Sequence, residues 1–163
     1  MDTASLALQM SYGLPLFKLF LVKEGASPDI PLRVRIGAPE DVLDFIRPLF
    51  HAAEEHFITL HLNARNEVTG VHEVSHGTLS SSLVHPREVY KAAFIANSHS
   101  LMVCHNHPSG ARLSPSQEDL ATTTNLIEAG VILGVSLLDH IIVGGPDRRD
   151  WYSIREHYPE LWL

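Results

Sequence analysis

Apolar positions along this chain recur at two spacings, every second residue or every third to fourth, and Gly, Pro, Ser and Asn punctuate the change from one to the other. Leu14 to Lys23 reads as a strand ending in the turn cluster Glu24-Gly25-Ala26-Ser27-Pro28, and a short strand fits Leu32 to Ile36. Pro39-Glu40-Asp41 opens a predicted helix with the core stripe Val42, Phe45, Ile46, Leu49 and Ala53. Phe57 to Leu62 and Val68 to Ser75 form a hairpin around Ala64-Arg65-Asn66-Glu67. Gly77 and Ser80-Ser81-Ser82 mark a loop. Pro86 then starts a helix carrying Val89, Ala92, Ala93 and Ala96. Ser100 to Cys104 is a short buried strand, Ser116 to Leu133 a helix, Val135 to Val143 a strand, and Trp151 to Ile154 a last short strand. Interleaved strands and helices predict an α/β protein, a mixed sheet with helices on both faces. Residues 1–13 read as a loose tail and residues 14–163 as a single domain.

Composition narrows the class. Of 163 residues, 45% are hydrophobic and 19% charged, a globular composition. The net charge of −7 opposes non-specific nucleic-acid binding, which needs clustered cations; only Arg148-Arg149 stands out. No run approaches the ~20 apolar residues of a membrane-spanning helix. The N-terminus reads as no export signal, since Asp2 spoils a basic start and Lys18 interrupts the apolar stretch. The single cysteine, Cys104, suits a reducing cytoplasm and reads as a buried strand residue.

The chemistry concentrates in His105-Asn106-His107-Pro108-Ser109-Gly110 and the following Pro115-Ser116-Gln117-Glu118-Asp119. In an extended segment the side chains at i and i+2 share a face, so His105 and His107 converge while Cys104 and Asn106 point away. Catalytic zinc takes three such protein ligands and leaves a fourth position for water. Glu118 and Asp119 compete for the third place. With Leu120, Thr124, Ile127 and Val131 as the helix's core stripe, Asp119 falls nearer the core and Glu118 on the water side. Ser116 and Asp119 also fit a capping box at the helix start, which is compatible with ligation. Binding should weaken below about pH 6, because a ligating imidazole must be neutral.

These residues resemble the JAMM motif of JAB/MPN-type metalloproteases, and most closely its RadC branch. Ser75-His76-Gly77-Thr78-Leu79, Leu83-Val84-His85-Pro86-Arg87-Glu88-Val89 and Leu137-Leu138-Asp139-His140-Ile141-Ile142-Val143-Gly144 resemble other RadC segments, so the similarity covers about residues 50–155. The resemblance implies a three-layer α/β/α sandwich of cytidine-deaminase type and one Zn2+ per chain held by His105, His107 and Asp119. It implies Glu55 as the general base and Ser116 as the residue that steadies the oxyanion. Glu54 stands beside Glu55; the apolar strand beginning at Phe57 favours Glu55. The implied activity is hydrolysis of a peptide, isopeptide or related amide bond, with a peptide or protein conjugate as substrate. The acidic balance and the lack of a spanning apolar run, not the resemblance, speak against nucleic acid and membrane as partners. Two departures stand out. One residue more than the family pattern separates Gly110 from the Pro-Ser-x-x-Asp element, and the loop Ala111 to Ser114 is where it fits. The helix-hairpin-helix region of full-length RadC proteins has no counterpart in this sequence.

Other readings fall away. HNH nucleases space their histidines far apart, and zinc deaminases need His-x-Glu with Pro-Cys-x-x-Cys, which this sequence lacks. His51, His56, His61, His72 and His76 read as surface or strand residues, and His85 as a helix-entry residue. Asp139-His140 reads as a strand pair, with a role behind a metal ligand as the alternative. A non-catalytic MPN-type scaffold and a DNA-repair accessory protein are the competing classes. The complete ligand set opposes the first and the acidic balance the second.

Overall fold

A computed structural model describes residues 34–77, 84–108, 113–144 and 151–163. The expected tail, the strand Leu14 to Lys23 and the Ser80–Ser82 loop lie outside them. The described chain forms an α/β fold around a mixed sheet of β1 (His56–Leu62), β2 (Val68–His76), β3 (Ser100–Asn106), β4 (Ser136–Val143) and β5 (Trp151–Ser153), in the order β2-β1-β3-β4-β5. Of the segment Leu32 to Ile36, the described part is an isolated bridge from Arg35 to Glu67.

The hairpin turns as its sequence dictates. Asn63 Oδ1 accepts from the Arg65 and Glu67 amides, and Asn66 takes a left-handed φ of 58°, which asparagine tolerates better than most side chains. β1 runs antiparallel to β2 and β3, while β3 and β4 are parallel. A parallel pair needs a long crossover. The helix α2 (Gln117–Leu133) lies within it, and α1 (Pro86–Ile95) precedes β3. β3 is buried at every position, the burial a central strand covered on both faces requires.

Two apolar clusters sandwich the sheet. On one face Val89, Tyr90 and Ala93 of α1 and Leu126 of α2 meet Phe57, Leu101, Val103 and Leu137. On the other, Val42, Ile46, Leu49 and Phe50 cover Ile58, Leu60, Leu62, Met102, Cys104, Ile141 and Val143. The covering segment departs from the expected single helix: it is two short 3-10 helices, Pro39–Val42 and Arg47–His51. Pro48 explains the break, because it has no amide hydrogen and its ring crowds the preceding turn. Ala53 is accordingly exposed, not part of the stripe.

The second departure concerns which side of α2 faces inward. Thr123, Leu126 and Gly130 are buried, whereas Val131, expected in the core, is 79% exposed. Gly130 sets this orientation. A Cβ there would stand 2.5 Å from Tyr90 Oη and 2.6 Å from the Val135 carbonyl. Tyr90 donates its hydroxyl to the Leu126 carbonyl at 2.7 Å, and burial pushes the phenol up to about 12. Gly134, at φ 70°, then caps the helix and lets the chain turn into β4.

Gly130→Ala should therefore destabilise the protein by about 1–3 kcal/mol in urea unfolding. Adding Tyr90→Phe should recover only part of that loss, since the Val135 carbonyl still blocks the methyl group. A neutral Gly130→Ala would show that α2 does not depend on this close approach.

Candidate metal centre

β3 delivers two imidazoles to one place. His105 lies opposite Phe57 of β1 and Ile142 of β4, and the His107 amide donates to the Val143 carbonyl at 2.9 Å. The chain therefore stays extended through His107, and both rings face α2. His105 Nε2 lies 2.9 Å from His107 Nε2 and 3.4 Å from Asp119 Oδ1, while His107 Nε2 lies 3.7 Å from Asp119 Oδ2. Tetrahedral coordination with bonds of ~2.0–2.1 Å sets ligand atoms about 3.3 Å apart. The observed separations bracket that value. Two ring nitrogens this close need a proton or a cation between them. The residues fit a divalent ion, and His105, His107 and Asp119 form a cluster that could hold one.

Protonation follows from the surroundings. Burial holds His105 near 4; Asp119 opposes that shift and His107 reinforces it. Burial alone would raise Asp119, but contacts with His107 and His105 and hydrogen bonds from Ser116 outweigh it and keep the carboxyl well below the usual range. At neutral pH His105 is thus a neutral ring and Asp119 a carboxylate, the states a metal ligand needs. The share of acid sensitivity that His105 contributes lies nearer pH 4 than the pH 6 expected from an unperturbed imidazole.

Asp119 owes its position to the helix start. Ser116 Oγ accepts from the Asp119 amide at 3.1 Å, and Asp119 Oδ2 accepts from both the amide and the hydroxyl of Ser116 at 2.7 Å. The capping box is real and turns the carboxylate toward the histidines, where the positive end of α2 also favours its charge. At about 100° per residue, Asp119 falls in the middle of the buried face of Thr123, Leu126 and Gly130. Glu118 is exposed.

Glu55 lines the same cleft, a cavity of about 160 Å³ walled also by Phe57, Val84, His105, His107, Ser116, Asp119 and Thr122. Glu54 points to solvent. The residue that holds Glu55 in place is one the sequence reading passed over. Asn106 is fully buried on the opposite face of β3, where its Oδ1 accepts from the His56 amide at 2.8 Å and its Nδ2 donates to the Glu54 carbonyl at 2.9 Å. It grips the backbone on both sides of Glu55, and the Gly77 amide adds a hydrogen bond of 2.9 Å to the Glu55 carbonyl. A polar side chain at the end of a buried apolar strand was the available signal, since it must find partners.

Asp139 and His140 separate in role. Asp139 is buried and accepts from Ser153 Oγ, the Arg155 amide and the His140 amide, tying β4 to β5 and the short helix α3 (Ile154–His157). His140 stands directly behind His105, with its Nε2 2.7 Å from His105 Nδ1. His85 caps α1 by accepting from the Arg87 amide at 3.0 Å.

A five-stranded mixed sheet with helices, carrying a His-His-Asp cluster where β3 meets the start of α2, is consistent with a JAB domain. The chain belongs to the RadC-like JAB domain family, which matches residues 36–159. It is 48% identical over 118 residues to a UPF0758 protein of Staphylococcus carnosus, covering 72% of this chain and 52% of the relative. It is 46% identical over 128 residues to a UPF0758 protein of Rubrobacter xylanophilus, covering 78% and 54%. A UPF0758 protein of Staphylococcus aureus is 48% identical over 113 residues, covering 69% and 51%. The chain spans about half the length of these relatives.

Asp119→Asn should reduce zinc affinity roughly tenfold or more, measured by titration calorimetry, and Glu118→Gln should leave it within about twofold. The opposite pattern would move the third ligand to Glu118.

Proposed function

We propose that this domain is a JAMM-type zinc-dependent hydrolase that cleaves a peptide, isopeptide or related amide bond. The observation that carries the reading is a carboxylate outside the His105-His107-Asp119 cluster, Glu55, that shares its cleft. A metal-dependent hydrolase needs that division between ligands and base. The JAMM resemblance assigns the same residues the same roles. When bound, a divalent ion supplies Lewis acidity toward the scissile carbonyl and lowers the pKa of a water to about 7.

The side chains divide the rest of the work. Glu55 takes the proton of the attacking water and returns it to the leaving amine. Asn106 fixes the backbone on either side of Glu55, so the carboxylate keeps its place as its charge changes. Ser116 steadies the oxyanion by redirecting the hydroxyl proton it gives to Asp119 in the free protein. Phe57 and Val84 supply apolar walls that help exclude bulk water. The substrate in this reading is a peptide or protein conjugate, with no nucleic acid or membrane involved. Among the described residues no helix is long and apolar enough to cross a membrane. A cytoplasmic setting would keep Cys104 reduced, and its burial within β3 pushes the thiol pKa up.

The test is a peptide and isopeptide cleavage screen with zinc-loaded protein. Glu55→Gln should lower turnover by about 10²-fold or more, the usual contribution of a general base, and leave bound zinc unchanged. Loss of zinc in that variant would make Glu55 a ligand. Full activity would remove it from the chemistry.

A further inference from the structure

A closed chain of hydrogen bonds runs between two members of the cluster through two residues outside it. His105 Nδ1 lies 2.7 Å from His140 Nε2, and His140 Nδ1 lies 2.7 Å from Thr123 Oγ1. The Thr123 hydroxyl donates to the Asp119 backbone carbonyl at 2.6 Å. His140 and Thr123 are both fully buried, on facing sides of β4 and α2.

The chain admits two directions. A hydroxyl has one proton to give. With that proton on the Asp119 carbonyl, Thr123 Oγ1 accepts from His140 Nδ1–H. His140 Nε2 is then a bare acceptor and takes His105 Nδ1–H. His105 Nε2 is left with its lone pair aimed at His107 and Asp119. In the reverse direction the hydroxyl donates to His140 Nδ1, His140 Nε2–H donates to His105 Nδ1, and the remaining proton sits on His105 Nε2. That proton would occupy the space where an ion binds. Total charge is the same in both, and only the tautomers differ.

We propose that Thr123 and His140 are positioning residues that fix the tautomer of His105, keeping its Nε2 bare for a metal ion. The assignment rests on the metal reading of the cluster. The committed bond from Thr123 to a carbonyl in its own helix selects the direction, because it leaves the hydroxyl oxygen only as an acceptor toward His140. A bare His140 Nδ1 would then face the Thr123 oxygen lone pair at 2.7 Å with no proton between them, and a bare His105 Nδ1 would face a bare His140 Nε2 in the same way, so the selection passes along the chain. It ends on the same residue that supplies the third ligand. The backbone of Asp119 thereby sets the protonation pattern of the ring its side chain meets.

Thr123→Val is the decisive variant because it keeps the shape and removes the acceptor. His140 then satisfies itself by donating from Nε2 to His105 Nδ1, which shifts the His105 proton to Nε2. Imidazole 15N resonances of the metal-free protein at neutral pH should show His105 and His140 both as Nδ1–H tautomers in the wild type, and both as Nε2–H in Thr123→Val. Zinc affinity should fall about ten- to a hundredfold in Thr123→Val, the usual effect of losing a partner behind a metal-ligating histidine. Thr123→Ser should restore both the tautomers and the affinity. A purely structural role for Thr123 would lower the melting temperature without moving the tautomers. A wild-type His105 carrying its proton on Nε2, or a Thr123→Val protein that binds zinc within twofold of wild type, overturns the proposal. If zinc-loaded wild type hydrolyses no amide, both readouts still stand and only the reaction falls.

Discussion

The alternation of side chains across the last residues of β3 is the constraint on which the cleft depends. β3 is buried on both faces, so His105 and His107 must face the α1–α2 layer and Asn106 must face the other. One tripeptide therefore serves two layers. Its outer members bring ring nitrogens to within 2.9 Å of each other, and its middle member grips the backbone on either side of Glu55. A slip of one residue in the β1–β3 register would exchange these faces, separating the rings from Asp119 and releasing the segment that carries the acid. Parallel pairing of β3 with β4 adds to this, because it sets His140 behind His105 and extends the strand to His107 through the Val143 carbonyl.

The charge pattern follows from burial around that geometry. A buried imidazole resists protonation, and a carboxylate among hydrogen-bond donors resists neutralisation. His105 and Asp119 show each behaviour, so the cleft holds a neutral ring beside an anion at neutral pH. Two closely spaced nitrogens facing a carboxylate hold either a proton or a cation between them. They suit a shared cation, and the capping box at the start of α2 keeps the carboxylate aimed at them.

Much of this was legible from residue order. Strong period-two and apolar runs marked β1 through β4, and Pro86 and Ser116 marked the helix starts. The His-x-His spacing with Asp119 marked the cluster; Asp119 lies beside the two rings and Glu118 is exposed. Other features depended on partners that no local pattern reveals. Pro48 divided the expected helix over residues 39–53 into two 3-10 turns, a break its residue type could have signalled. The buried face of α2 uses Thr123 and Gly130, which an apolar stripe passes over: one satisfies His140 and the other makes room for Tyr90. Asn106 and His140 gained their roles from strand neighbours about fifty and thirty-five positions away in sequence. Those pairings exist only once the sheet is assembled.

The central claim is that His105, His107 and Asp119 share one divalent cation. Zinc-edge anomalous diffraction from crystals grown with the metal tests it most directly. The account predicts a single strong peak within about 2.0–2.2 Å of His105 Nε2, His107 Nε2 and an Asp119 carboxylate oxygen. An empty cleft under saturating zinc, or a peak bound through other side chains, would contradict it.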